Sequence, residues 1–284
     1  MNGFLLINKP VGPTSRKVTD QVGRFFGTKK VGHVGTLDPF ASGLLIVAIN
    51  KGTKAIQFLD DSYKSYVATI KLGEKTDTGD IEGKLIERRE IPHLSREKIE
   101  EILNSFLGKG EQIPPMTSAI RVEGKRLYEL AHKGVEVERK SRPIEVKEIK
   151  LIEHKNDLIT FETVVSKGTY IRVLGEDIAS GLGTVGHLVS LCRTSVGPYY
   201  LNDAVELDSI DFKSVKSTYE ILSIDSEVVE MDEKEIKRIV DGKVLEIKSE
   251  SEKSRLLVVD TNKTAIAIYI KNKDNSFRFA RGLF

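Results

Sequence analysis

Hydrophobic and polar positions in the N-terminal part of the chain follow two different periods. Residues 4–7 and 44–49 are continuously apolar, which predicts buried strands. Tyr63–Leu72 alternates apolar and polar side chains, which predicts a half-buried strand with Tyr66 on its inward face. Between the first two strands, apolar residues at helical spacing predict a helix that begins at a Ser15 cap. This part of the chain is therefore expected to mix strands with helices.

The same two patterns continue further along the chain. Residues 144–152 and 158–165 have the composition of adjacent strands. Helices are predicted after a Ser95 cap, over residues 126–132, from about Tyr170, and over residues 187–191. Strand pairs separated by inserted helices indicate an α+β fold with a mixed, largely antiparallel sheet flanked by helices, rather than a regular βαβ repeat.

The character of the sequence changes after about Val228. The segment that follows is short and highly charged, with a predicted helix over Glu233–Val240. Short strands are predicted around Lys243, Leu256, Ile266 and Phe277. We therefore expect a larger domain over residues 1–227 and a small β-rich domain over residues 228–284.

Composition limits the class of protein. With 284 residues, 39% hydrophobic and 30% charged, the chain is typical of a globular protein. No apolar run approaches the ~20 residues that cross a bilayer, and the N-terminal residues lack the order of a secretory signal. A single cysteine, Cys192, excludes an intrachain disulfide framework and a multi-cysteine zinc site. We expect a cytoplasmic protein with no metal site and no membrane attachment.

Basic residues are concentrated locally, although the net charge is only +2. Any surface for nucleic acid must therefore be local. One basic stretch covers residues 16–30, and a second covers residues 121–142, which also contain several glutamates. For either stretch, the alternative to a nucleic-acid surface is an ordinary solvent-exposed face. Lys29 and Lys30 are the residues that we expect to meet phosphates. The first stretch has fewer acids: its basic residues are Arg16, Lys17, Arg24, Lys29 and Lys30, and its one acid is Asp20.

One carboxylate lies in a loop that is bounded by glycines. Asp38 precedes Pro39, and proline disfavours a helical conformation in the residue before it, so Asp38 is expected outside any helix. Gly35 and Gly43 allow a ligand to approach the backbone closely. An ordinary turn built by Asp-Pro is the alternative. The choice between these readings depends on the neighbouring segments.

Five sequence blocks together carry a family resemblance. They are KPVGPTS at residues 9–15, GHVGTLDP at 32–39, TDTGD at 76–80, PPMTSA at 114–119 and SKGTYIR at 166–172. In these blocks the chain resembles the TruB-type family of bacterial pseudouridine synthases, which modify uridine 55 of the tRNA TΨC arm. Five blocks in the right order are far more specific than a lone Asp-Pro turn.

The resemblance implies a fold, a reaction and a partner. It implies a pseudouridine-synthase catalytic domain followed by a small C-terminal RNA-binding domain of the PUA type. It implies isomerisation of uridine 55 in tRNA on a flipped-out base, with no cofactor. The partner would be the T-arm of tRNA, and we expect no obligatory protein partner.

The resemblance also implies roles for three residues of the catalytic centre. Asp38 matches the family's nucleophile, which splits one difficult step into two easier ones by forming a covalent adduct. Arg172 matches the arginine that pairs with that carboxylate and keeps it ionised. Tyr66 matches the tyrosine that stacks on the target base and has been considered for removal of the C5 proton. Whether Asp38 attacks the base or the ribose stays open.

Four other residues are expected at the substrate. His33 matches the histidine that occupies the space left by the flipped base, and Leu191 matches an apolar wall of the uracil site. Tyr170 is expected to order the pocket, and Lys9 to brace the catalytic loop. Core positions are the alternative for Tyr170 and Leu191.

Three other functions remain open from the sequence. A guide-RNA type of pseudouridine synthase shares the catalytic motifs, but its longer accessory extensions are missing here. A tRNA-binding folding chaperone would use base flipping without needing the chemistry. A carboxylate glycosidase would need a second acid, for which Asp77 and Asp80 are available, although both are more typical of turn residues.

Overall fold

The chain folds into two compact units. The computed structural model describes residues 1–118, 121–122, 125–127, 135, 137–243, 247–249 and 251–284. The first unit comprises Met1–Pro39, Gly43–Asp61 and Gly197–Phe284, and the second unit comprises Phe40–Ser42 and Ser62–Val196. In sequence, the second unit is therefore inserted into the first.

Strands outnumber helices in the described part of the chain. The α-helices are α1 (Ser15–Phe25), α2 (Arg96–Ser105), α3 (Ile171–Gly181), α4 (Thr218–Leu222) and α5 (Glu233–Val240). The strands are β1 (Gly3–Lys9), β2 (Val31–Val34), β3 (Ser42–Ile49), β4 (Tyr63–Leu72), β5 (Glu74–Thr76), β6 (Leu85–Arg88), β7 (Gly108–Gln112), β8 (Arg121–Val122), β9 (Lys125–Arg126), β10 (Arg142–Lys155), β11 (Leu158–Ser166), β12 (Gly186–Val196), β13 (Tyr199–Tyr200), β14 (Val205–Glu206), β15 (Glu227–Glu230), β16 (Ile247–Lys248), β17 (Arg255–Val259), β18 (Ala265–Lys271) and β19 (Ser276–Gly282).

The second unit is built on an antiparallel sheet. Its strands lie in the order β12-β4-β11-β10-β7, and every neighbouring pair is antiparallel. Helix α3 packs against β12, and α2 packs against β10. Strand β4 buries alternate residues, with Tyr66, Ala68 and Ile70 all on the buried face. The predicted inward face of this strand is confirmed.

In the first unit, four paired strands hold the N-terminal residues. Strand β1 pairs in antiparallel register with β3 and in parallel register with β14, and β2 pairs with the other edge of β3. Residues 44–49 are fully buried, as their continuous apolar run predicts. Helix α1 buries Val18 and Val22 but leaves Phe25 exposed. Together with the second unit, this arrangement confirms the expected α+β fold with a largely antiparallel sheet.

A second sheet of the first unit forms the C-terminal part of the chain. Its strands lie in the order β15-β17-β18-β19-β16, and β15 alone of these pairs in parallel. Helix α5 has the predicted bounds and contributes Ile239 to the core of this sheet. Phe277 is fully buried there, and Phe279 packs edge-on against Tyr269 with ring centroids 5.6 Å apart. The sheet begins at Glu227, and the predicted domain boundary at residue 228 stays a prediction.

The segment predicted as a helix over residues 187–191 is instead part of strand β12. The prediction was wrong because Leu188 and Leu191 have helical spacing and are both buried. A β-bulge between Leu188 and Ser190 adds one residue to the strand, so side chains three positions apart face the same side. The bulged strand therefore has buried side chains three positions apart, a spacing that is typical of a helix.

Two smaller expectations also changed. The cap of α1 is Thr14, whose side chain accepts a hydrogen bond from the amide of Lys17, and not Ser15, which is already helical. Near Lys243, the described strand lies at Ile247–Lys248.

Of the helix predicted over residues 126–132, residues 128–132 lie outside the described part of the chain. Every helix within the described residues is too short or too polar to cross a lipid bilayer.

The turn after β12 gives a test of backbone packing. Gly197 has a φ of +51°, and an added Cβ would lie 2.2 Å from the carbonyl oxygen of Asp60. Gly27 has a similar φ of +63° but open space around it. We expect Gly27→Ala to lower the free energy of unfolding by about 1 kcal/mol. Gly197→Ala should cost a further ~1–3 kcal/mol, because the backbone must move. Urea unfolding measures both, and equal losses would contradict the packing.

Candidate active site

Asp38 lies in the irregular loop that connects β2 to β3. Strand β2 ends at Val34, and β3 does not begin until Ser42. The side chain of Asp38 is half-buried. The expectation that the Asp-Pro pair lies outside any helix is confirmed.

Residues 9–15 hold the backbone on both sides of Asp38. Upstream, the Ser15 hydroxyl accepts a hydrogen bond from the amide of Leu37 and donates one to the carbonyl of Leu37, each at 2.9 Å. Downstream, the amide of Gly12 donates to the carbonyl of Pro39 at 2.8 Å. Because both neighbours of Asp38 are fixed, the direction in which its Cα–Cβ bond points is restricted.

Lys9 adds a third connection to the same loop. Its side chain is fully buried, and its ammonium donates to the carbonyl of Pro10 at 2.8 Å and to that of Pro39 at 3.4 Å. A buried ammonium is costly unless it is hydrogen-bonded, so these carbonyls help to keep it in place. The geometry is what a bracing role requires, and a role of Lys9 at the substrate stays a prediction.

The second unit presents Tyr66 and Leu191 on the same face of its sheet. Tyr66 on β4 lies opposite Arg193 on β12, and Leu191 lies opposite Ala68. Residues directly opposite each other in an antiparallel pair project to the same side. Arg193 is only 1% exposed, so a buried guanidinium neighbours the predicted stacking tyrosine. No sequence pattern indicated a role for Arg193, which lies outside the five motif blocks.

Arg172 is held in the first turn of α3 by several acceptors of the second unit. Its Nη1 donates to the Thr78 carbonyl at 2.9 Å and to Thr117 Oγ1 at 2.5 Å, and its Nη2 donates to the Thr117 carbonyl at 2.9 Å. Asp80 lies 3.4 Å from Nη1, and both side chains are almost fully buried. The planar guanidinium suits this set of acceptors, and a lysine could not satisfy all of them. The ion pair of Arg172 with Asp38 concerns residues of different units and stays a prediction.

Asp80 stands at the end of the TDTGD turn, where its carboxylate also orders the backbone. Asp80 Oδ1 accepts from the Thr78 hydroxyl at 2.7 Å and from the amide of Glu82 at 3.1 Å, while Thr76 donates to the Asp80 carbonyl at 2.8 Å. The expectation that Asp80 is a turn residue is thus met, but its contact with Arg172 was not expected. No sequence pattern indicated this contact, which follows from the burial of Arg172, because a buried arginine needs a carboxylate or several carbonyls nearby.

Tyr170, the residue before α3, is fixed through its backbone. Gln112 at the end of β7 donates to the Tyr170 carbonyl at 3.0 Å and accepts from the Tyr170 amide at 2.8 Å. The Gln112 side chain is buried, so both bonds are shielded from water. Gln112 was not singled out by the sequence, because a lone glutamine carries no pattern.

Three other predicted residues lie in the first unit. His33 is half-buried on β2, opposite Val47 of β3, while Lys29 and Lys30 are exposed in the connection between α1 and β2. A cavity of about 670 Å³ beside α1 is lined in part by Arg16, Arg24 and Lys29. Part of the basic stretch noted in the sequence therefore lines a concave surface, where Asp20 also lies, 2.9 Å from Arg16.

Two acids of α3 lie near the TDTGD turn. Burial raises the pKa of Glu176 and of Asp177 above the usual range of a carboxyl, and the nearby Lys75 ammonium opposes this rise in both. Lys75 Nζ lies 3.8 Å from Glu176 Oε1.

Among the residues that the structure describes, no group of three or more His, Cys, Asp or Glu side chains is placed to hold a metal ion.

Solved structures share the fold of this chain. A chain of a Cbf5-Nop10-Gar1 complex is one structural neighbour; that match has a TM-score of 0.73 at 23% identity, and it covers 99% of this chain and 85% of the other. An H/ACA RNP bound to a substrate RNA gives a TM-score of 0.73 at 20% identity, with the same coverage. These matches show the fold of the chain, and their coverage includes the C-terminal sheet that we expected to be PUA-like.

Sequence comparison identifies the family. The family model described as TruB family pseudouridylate synthase (N terminal domain) matches residues 23–171. A tRNA pseudouridine synthase B from Hydrogenovibrio crunogenus is 46% identical over 211 residues, which are 74% of this chain and 70% of that protein. One from Francisella philomiragia is 43% identical over 228 residues, which are 80% and 76% of the two proteins. The chain belongs to the TruB family of pseudouridylate synthases and is therefore an isomerase.

The buried Arg172–Asp80 contact predicts unequal effects of one chemical change at two aspartates. Asp80→Asn removes a charge 3.4 Å from a buried guanidinium, and we expect the free energy of unfolding to fall by about 3 kcal/mol. Asp77→Asn makes the same change on the exposed side of the turn, where an amide oxygen still accepts from Lys84, and should be neutral within ~0.5 kcal/mol. Urea unfolding of both variants gives the comparison. Equal stabilities would refute the contact.

Proposed function

We propose that this protein converts uridine 55 in the TΨC loop of tRNA to pseudouridine, with Asp38 as the nucleophile and a flipped-out base as the substrate. The observation that carries the proposal is membership of the TruB family together with relatives named tRNA pseudouridine synthase B at 46% and 43% identity. The five ordered motif blocks support the choice of uridine 55. The clamped, half-buried Asp38 supports the choice of nucleophile.

The reaction is a balanced rearrangement. The N1–C1′ glycosidic bond breaks and a C5–C1′ bond forms, while C5 loses a proton and N1 gains one. Substrate and product have the same atoms and electrons, so the reaction needs no oxidant, reductant or other co-reactant. The protein must hold the detached base while it turns. A covalent adduct of Asp38 with the base would tether it, whereas an adduct with the ribose would hold the sugar and leave the base to be retained by the pocket.

The proposed roles follow from the chemistry of each side chain. Asp38 acts as an anion, and Arg172 keeps it ionised by pairing with it. Tyr66 stacks on the uracil ring, a contact worth about 1–3 kcal/mol per base, and is a candidate to accept the C5 proton. The fixed position of Arg172 among Thr78 and Thr117 supports its use as a rigid partner.

The remaining residues serve the substrate. A uridine inside a folded tRNA loop has to leave its stack, which costs a few kcal/mol. In the proposal, His33 fills the vacated space, Leu191 forms an apolar wall and Tyr170 orders the pocket. Lys29 and Lys30 contact phosphates of the T-arm. The cytoplasmic location and the independence from protein partners stay predictions.

The decisive test is Asp38→Asn, assayed by chemical mapping of pseudouridine in one unmodified tRNA transcript. We expect product formation to fall by at least about 10³-fold, because an amide is not a nucleophile here, while tRNA binding is retained. Asp203→Asn makes the same change at an exposed acid outside the motif blocks and the basic stretch, and it serves as the matched control, with activity unchanged.

Other outcomes would favour the rival functions. A near-normal rate for Asp38→Asn would dismiss Asp38 as the nucleophile. Release of free uracil from the RNA would favour a glycosidase. Refolding of tRNA by wild-type protein without any pseudouridine would favour a chaperone.

The basic residues predict a dependence on salt. Binding of tRNA should weaken steeply with ionic strength, because each neutralised phosphate releases counterions. The double variant Lys29→Gln/Lys30→Gln should reduce the slope of log Kd against log salt by about 1 for each lysine. Lys98→Gln/Lys150→Gln removes two exposed lysines of the second unit, each paired with a glutamate, and should leave the slope unchanged. Filter binding at several salt concentrations measures the slopes, and identical slopes would contradict the phosphate assignment.

A further inference from the structure

Ser15 makes an unusual use of its hydroxyl. The side chain is 1% exposed, and its oxygen forms two hydrogen bonds with one residue, Leu37, through both the amide and the carbonyl. The two bonds close a ring between a side chain and the main chain at the position next to Asp38. Such a ring fixes both the distance and the rotation of the bonded backbone, which a single bond would not.

The helix that contains Ser15 does not need this hydroxyl. Thr14 is extended and supplies the cap of α1 through its own side chain. Thr19, one turn later, also has a buried hydroxyl, but it donates to the carbonyl of Arg16 within the same helix. Of these two buried hydroxyls, the one of Ser15 reaches another segment.

We propose that Ser15 is a positioning residue for the nucleophile, acting through the backbone of Leu37. The inference rests on the proposed role of Asp38. A carboxylate that attacks carbon has to sit within a few tenths of an ångström of its reacting geometry, and a misplacement of about 1 Å costs about 100-fold in rate. Gly12 and Lys9 bond the carbonyl of Pro39 on the far side of Asp38, whereas Ser15 bonds the near side at Leu37.

Removal of the hydroxyl leaves two polar groups of Leu37 without their partner in a buried place. The backbone must then shift towards water or another partner, because a buried orphan amide is costly. The shift moves Asp38, whereas Lys29 and Lys30, which are proposed to contact tRNA, lie beyond the other end of α1. The rate of the chemical step should therefore fall while affinity for tRNA does not.

The experiment compares Ser15→Ala with Thr19→Val in the full chain. Pseudouridine formation is followed in a single turnover with saturating enzyme on an unmodified tRNA transcript, and the Kd for the same tRNA is measured separately. We expect a rate about 10- to 100-fold lower for Ser15→Ala, with a Kd within about twofold of wild type. Thr19→Val should keep both values. Equal rates for the two variants, or a loss confined to Kd, would overturn the proposal.

A second pair of variants guards against poor folding of Ser15→Ala. Ser15→Thr and Ser15→Val add the same bulk and differ only in the hydroxyl. The threonine variant should be the faster of the two by about tenfold or more in the folded fraction, since only threonine can bond Leu37. Equal rates for this pair would also overturn the proposal.

Asp38→Asn separates failure of this inference from failure of the proposed function. If Asp38→Asn is inactive and Ser15→Ala is as fast as wild type, Asp38 stands as the nucleophile and the role of Ser15 is refuted. If Asp38→Asn is active, the proposed nucleophile is wrong, and the role of Ser15 is refuted with it.

Discussion

The candidate site depends on one constraint, which is that the backbone around Asp38 cannot move freely. Residues 9–15 form the end of β1 and the start of α1, and from there they hold Leu37 and Pro39 on either side of the carboxylate. An aspartate has only two rotatable bonds, so a fixed backbone fixes most of its reach. Proline after Asp38 removes one more degree of freedom from the chain.

In the second unit, buried side chains also fix the backbone of other segments. Gln112 bonds both backbone groups of Tyr170, and Arg172 bonds the carbonyls of Thr78 and Thr117. In each case a buried side chain is satisfied by main-chain groups of another segment. Buried polar groups are costly when unpaired, so these contacts specify one arrangement of loops that have little regular structure of their own.

The motif blocks contact one another through hydrogen bonds. The block at residues 9–15 contacts the block at 32–39. The blocks at 76–80 and 114–119 both contact the block at 166–172, through Arg172. Segments far apart in sequence are thus hydrogen-bonding partners within their own units. The residue type matters where the bond is made by a side chain, as it is at Ser15, Thr117 and Arg172.

Much of this protein could be predicted from local sequence. Continuous and alternating apolar runs determined β3, β4 and β11, and the blocks determined the family, because these signals are carried by neighbouring residues. The tertiary structure alone decided that Ser15 bonds Leu37, that Asp80 meets Arg172 and that Arg193 is buried opposite Tyr66. It also placed residues 187–191 in strand β12, where a bulge gives Leu188 and Leu191 a helix-like spacing. Hydrogen-bond partners and bulges depend on which distant segment lies alongside, and no periodicity within one segment encodes that.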